Sequence, residues 1–146
     1  MLHPQSVAPN FELLDQNGKK HTLEEYRGQP VLLYFYPKDG TPGCTKEACS
    51  LRDNFHQFEN LNVKVIGLNA DSVASHQKFA EKYNLPFTLL SDISKTTIKA
   101  YKANGLLITK RISYLIDKNG IIIKSLPKVD PTTHTAEMLD EIKNLK

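Results

Sequence analysis

Cys44 and Cys49 stand five residues apart, and the chain holds no other cysteine. A close pair of thiols raises redox chemistry first, because the thiolate is the most readily oxidised side-chain group. Spacing alone leaves three readings open. The two sulfurs can act as a redox couple, or they can be free thiols packed as small hydrophobes. A zinc site recruiting His56 is the third reading, although four ligands are usual and His3, His21, His76 and His134 show no ligand spacing. The C-x-x-C motif of ordinary dithiol oxidoreductases is absent, and two cysteines are too few for a secreted disulfide framework.

The elements that must position the pair can be read from hydrophobic pattern. Residues 11–14 and 20–23 flank Asp15-Gln16-Asn17-Gly18, a hairpin signal. Val31 to Tyr36 is a continuous apolar run, as in a strand buried on both faces, ended by Pro37. A turn-rich loop from Lys38 to Gly43 follows. Ala48, Leu51, Phe55 and Phe58 then recur at helical spacing and predict one helix over 45–58. Downstream the pattern predicts a strand over 63–68, a helix over 72–83, an extended piece at 87–90 and a short helix over 96–101. Residues 112–116 and 121–124 form a second hairpin about Asp117-Lys118-Asn119-Gly120. A last helix starts at Asp130-Pro131, with Ala136, Leu139, Ile142 and Leu145 as its buried stripe. Strands alternating with helices, closed by an antiparallel hairpin, define an α/β fold. It is a central mixed sheet with helices on both faces, of which the thioredoxin-like architecture is the compact version.

This order puts Cys44 at the N-terminus of a helix, where unpaired N–H groups and the macrodipole favour an anion. The dipole contributes roughly 0.3–1 kcal/mol, up to about 2, against about 1.36 per pKa unit, so it activates a thiol only modestly. A strongly activated thiolate needs a cation from elsewhere in the chain. Cys44 lies in line with the apolar stripe, and Cys49 lies about 140° round the helix, towards its polar face. In an intact helix their Cα atoms are roughly 8.7 Å apart, whereas a disulfide takes about 4.4–6.8 Å. If the pair works as a couple, the helix has to open.

Composition narrows the setting. The chain has 146 residues, one domain's worth, 40% of them hydrophobic and 24% charged, which excludes disordered and fibrous classes. Nineteen basic against sixteen acidic residues give a net charge of +3, with no dense basic stripe, so no nucleic-acid partner is expected. No apolar window approaches the ~20 residues that span a bilayer, and residues 1–10 lack the apolar run of a secretory signal. A cytoplasmic, soluble protein without a membrane partner is the expectation.

The whole segment from Phe35 to Cys49, with Pro37, Thr41 and Cys44 in a P-x-x-x-T-x-x-C pattern and the extension T-P-G-C-T-x-E-x-C, closely resembles the active-site segment of the peroxiredoxins. Within them it is similar to the bacterioferritin comigratory protein or peroxiredoxin Q subfamily. Similarity runs on through Leu51-Arg52-Asp53, Leu90-Ser91-Asp92, residues 111–117 and the final helix, covering nearly the entire chain. Gly40 and Asn69 depart from the pattern, standing where a second acidic residue and a serine are common.

The resemblance implies a thiol peroxidase acting on hydrogen peroxide and organic hydroperoxides, using no metal, haem or flavin. Cys44 would be the peroxidatic cysteine, oxidised to a sulfenic acid, and Cys49 the resolving cysteine that condenses with it. Thr41 would hydrogen-bond the peroxide and Pro37 would shield the sulfur. Arg111 would supply the cation and Glu47 would orient it. The implied electron donor is thioredoxin or a similar dithiol protein, and the subfamily leans towards a monomer. The competing reading from another class is a non-catalytic redox sensor, whose disulfide switches a binding surface.

Overall fold

The computed structural model describes residues 1–144. Among these residues seven strands form one mixed sheet: β1 (Glu12–Leu14), β2 (Lys20–Thr22), β3 (Val31–Phe35), β4 (Lys64–Asn69), β5 (Thr88–Ser91), β6 (Ile112–Ile116) and β7 (Ile122–Leu126). Their order across the sheet is β2-β1-β5-β4-β3-β6-β7. β3, β4 and β5 run parallel, while β6 and β7 add an antiparallel pair on one side and β1 and β2 close the other. β3 is an inner strand between β4 and β6, and all five of its residues are buried, as its unbroken apolar run requires.

Among the described residues five helices complete the fold: α1 (Pro42–Asp53), α2 (Phe55–Asn60), α3 (Val73–Tyr83), α4 (Thr96–Ala100) and α5 (His134–Asn144). The alternation of β3 sends Leu32 and Tyr34 into a core with Cys44, Ala48, Leu51, Phe58, Phe79 and Met138, the side covered by α1, α2, α3 and α5. Val31, Leu33 and Phe35 face the opposite core, with Ile98, Tyr101 and Tyr114. A short 3₁₀ turn at Glu24–Tyr26, which the pattern did not predict, leads into β3.

Two helices differ from expectation. The helix expected over 45–58 starts three residues earlier, because Pro42 occupies its first turn after Thr41 at the N-cap. It also breaks at Asn54, whose side-chain amide donates to the Ser50 carbonyl at 2.9 Å and competes with the helical bond pattern. The last helix begins at His134 rather than Asp130. Residues 130–133 form a turn in which the Asp130 carboxylate accepts from the Thr132 N–H at 2.8 Å. Its inward face is His134, Thr135, Met138, Leu139 and Ile142. Ala136 is exposed, since His134 and Met138 take the inward positions, and Leu145 lies outside the described residues.

Register places the site. Phe35 at the end of β3 pairs with Ile112 at the start of β6. Arg111, one residue before Ile112, therefore stands beside the point where the chain leaves β3 for the loop to Cys44.

Candidate active site

The loop from Tyr36 to Thr41 leaves β3 and feeds α1, putting Cys44 in the third helical position, where the first N–H groups have no intrahelical acceptors. Cys44 is buried, 1% exposed, whereas Cys49 is half-buried further along the same helix. Both are free thiols. Since α1 is unbroken from Pro42 to Asp53, the separation of roughly 8.7 Å set by helix geometry applies.

Arg111 crosses from β6 to the buried sulfur. Its Nη2 donates to Cys44 Sγ at 3.2 Å and its Nη1 to Glu47 Oε1 at 2.8 Å. One planar guanidinium thus bridges a thiol and a carboxylate. Burial works against the charge on Arg111, but Glu47 and the hydrogen bond and charge of Cys44 outweigh it and hold its pKa above the ordinary range. Gly43 makes room for this approach: a Cβ there would sit 3.1 Å from Arg111 Nη2.

Glu47 is almost wholly buried, and the sequence pattern did not reveal what lies behind it. His134 Nδ1 is 3.1 Å from Glu47 Oε2, off the line of a straight hydrogen bond, so the two are close polar neighbours without an aligned partner. The other ring nitrogen, Nε2, is 2.9 Å from Ser113 Oγ on β6. One turn along, Ser50 Oγ donates to Thr135 Oγ1 at 2.8 Å, a second tie between α1 and α5. Tyr34 lies beneath, with its hydroxyl buried and unpartnered; burial first, then the charges of Glu47 and Cys44, push its pKa well above the usual phenol range.

Thr41 is the N-cap residue, and its hydroxyl donates to the Lys38 carbonyl at 2.8 Å. Pro37 is half-buried at the start of the loop. Tyr36, just past β3, donates to Asp39 Oδ1 at 2.5 Å, and burial with Asp39 beside it holds its phenol well above the usual range. Asp39 Oδ2 also meets Ser75 Oγ at 2.8 Å and His76 Nδ1 at 2.6 Å, while His76 Nε2 is 3.0 Å from the Leu90 carbonyl. Asp71 Oδ2 accepts from the Asp39 N–H at 2.8 Å and from Asn69 Nδ2 at 3.0 Å. Asn69 therefore indirectly braces the active loop. Gly40 adopts a left-handed turn conformation at φ 78°, which suits glycine.

All six residues expected at the site thus lie on β3's exit loop, the first turns of α1, or the start of β6. Among the described residues no three His, Cys, Asp or Glu side chains converge as a metal site. His134 and Ser113 escaped sequence reasoning because each is a lone polar residue; only a buried histidine at the head of an apolar helical stripe could have hinted at them.

The AhpC/TSA family matches residues 4–125, and the chain belongs to it. Within that family it sides with the peroxiredoxins of the Q and bcp type. It is 44% identical over 144 residues to the chloroplastic peroxiredoxin Q of Triticum aestivum, covering 96% of this chain and 66% of that one. To a putative peroxiredoxin bcp of Coxiella burnetii it is 43% identical over 146 residues, covering 92% and 95% of the two chains. A solved structure of the bacterioferritin comigratory protein of Xanthomonas campestris, described in terms of its alkyl peroxide reduction activity, superposes with a TM-score of 0.89 at 28% identity, over 92% of this chain and 91% of that one. The thioredoxin-like fold expected from the order of strands and helices is the one observed.

Proposed function

We propose that the chain is a thiol peroxidase in which Cys44 is the nucleophile and Cys49 the resolving thiol. The observation that carries this reading is the Arg111 guanidinium held 3.2 Å from a buried sulfur at a helix N-terminus. The Cys44 thiolate attacks the O–O bond of a hydroperoxide, forming the S–O bond of a sulfenic acid and releasing an alkoxide or hydroxide that takes up a proton. The Gly43 and Cys44 N–H groups and Arg111 face the charge that moves onto the leaving oxygen. Because the Thr41 hydroxyl proton is committed to the Lys38 carbonyl, its lone pairs accept from the peroxide O–H.

The Cys49 thiol then displaces water from the sulfenic acid, giving the Cys44–Cys49 disulfide. That step takes the unwinding of α1 between the two residues. An external dithiol protein of the thioredoxin type returns both thiols and leaves with its own disulfide. Hydrogen peroxide and organic hydroperoxides are the substrates in this reading, the alkyl peroxide reduction ascribed to the Xanthomonas protein supporting the second class. The reading also takes the chain to work as a monomer in a reducing, cytoplasmic setting and without a cofactor.

Turnover tests it. With thioredoxin, its reductase and NADPH, the wild type is expected to consume many equivalents of peroxide, and Cys44→Ser none. Consumption of about one equivalent that then stops, even with excess reductant, would point instead to a redox sensor.

A further inference from the structure

Arg111 has two nitrogens at work, one on Glu47 Oε1 and one on Cys44 Sγ. A carboxylate with both oxygens free prefers the bidentate fork, in which both guanidinium nitrogens go to the same acid. Such a fork would draw Nη2 off the sulfur. What occupies the second oxygen of Glu47 therefore decides where Nη2 goes, and its close polar neighbour is His134 Nδ1 at 3.1 Å.

We infer that His134 is a positioning residue, whose Nδ1, standing 3.1 Å from Glu47 Oε2, keeps that oxygen from Arg111 and so reserves the second guanidinium nitrogen for Cys44. The inference rests on the reading of Cys44 as nucleophile. Ser113 is placed to set the tautomer: its Oγ lies 2.9 Å from Nε2, and with the hydroxyl donating there the ring proton sits on Nδ1, the nitrogen nearest the carboxylate. Both partners are rigidly placed. His134 is 1% exposed at the head of α5, and Ser113 is fully buried on β6 next to Tyr114. Glu47 sits between the two cysteines on α1, so the same contact also ties down the stretch that must unwind for the disulfide to form. Loss of His134 is therefore predicted to slow the first step without slowing the second.

Rapid-quench alkylation followed by intact mass separates the two steps in the full chain. His134→Leu fills the space but lacks the donor, whereas His134→Asn keeps an amide N–H near the Nδ1 position. His134→Leu is expected to lower the second-order rate of Cys44 oxidation by about threefold to tenfold, the low end for a polar contact to a charged group. His134→Asn is expected to stay within about threefold of wild type, and disulfide formation is expected to be no slower in either. A wild-type oxidation rate in the Leu variant, or an Asn variant as slow as the Leu one, would overturn the inference. Should the Leu variant not fold, Ser113→Ala decides: it frees the tautomer and is predicted to slow oxidation about threefold, and an unchanged rate would overturn the inference. Failure of the underlying reading looks different, because the wild type itself would not oxidise at Cys44.

Discussion

Replacing Lys46 by alanine and by glycine measures the opening of α1 directly. Lys46 is exposed and lies between Cys44 and Cys49, on the segment that must unwind. Contacts around it are not at stake, so the pair of variants differs chiefly in backbone preference. Glycine is less favourable than alanine in a helix interior by about 0.8–1.0 kcal/mol, which at 25 °C is a roughly four- to fivefold change in the balance between wound and unwound forms. If opening precedes disulfide formation, Lys46→Gly should form the Cys44–Cys49 disulfide about four to five times faster than Lys46→Ala. Peroxide attack, which uses the wound form, should change little. The chain has no tryptophan, so the assay is quench-flow with thiol alkylation and intact mass, counting thiol, sulfenic acid and disulfide over time. Equal disulfide rates in the two variants would refute the claim that α1 opens before the disulfide forms.

Other perturbations read the rest of the site. Arg111→Gln removes a charged hydrogen bond to sulfur and should lower the rate of Cys44 oxidation roughly 10- to 150-fold at unchanged fold, measured by the same quench assay. Gly43→Ala puts a methyl 3.1 Å from Arg111 Nη2. A shift of the guanidinium by a few tenths of an ångström should cost about three- to tenfold in oxidation rate, with no loss in melting temperature because alanine is the better helix former. Far from the site, burial tends to raise the Asp15 carboxyl, but His21 and the N–H groups of Lys19 and Asn17 outweigh it and hold its pKa below the usual carboxylate range. Its stabilisation is thus present above the unfolded value of about 4 and lost as pH falls through the lower folded one. Asp15→Asn should therefore destabilise the chain at pH 7 and much less at pH 3 in urea titrations, and an equal loss at both would contradict this.

How much of this was legible follows from which signals are local. The β3 run from Val31 to Phe35 is buried on both faces and reads unambiguously, as does the hairpin turn at Asp117–Gly120. The break at Asn54 does not, because an apolar stripe continues through it and the competing side-chain bond to Ser50 depends on three-dimensional geometry. The start of α1 at Pro42 was available from proline's preference for the first turn but was hidden by the loop-like run Gly40 to Gly43. At the site, the approach of Arg111 to Cys44 could be anticipated from the resemblance, which runs through both the Phe35–Cys49 segment and residues 111–117. The partners of Glu47 could not. His134 lies 87 residues after Glu47, and only the antiparallel pairing of β3 with β6 and the packing of α5 on α1 bring it there. The Asp39–His76–Tyr36 cluster was hidden for the same reason, since its members come from a loop, a helix and the end of a strand.

That Cys44 is the attacking thiol and Cys49 its resolver is tested most directly by intact mass after one equivalent of hydrogen peroxide, on wild type and Cys49→Ser side by side. Loss of two hydrogens is predicted in the wild type, and gain of one oxygen, mapped to Cys44, in the variant. A wild type left unchanged, or an oxygen mapped to another residue, would contradict these roles.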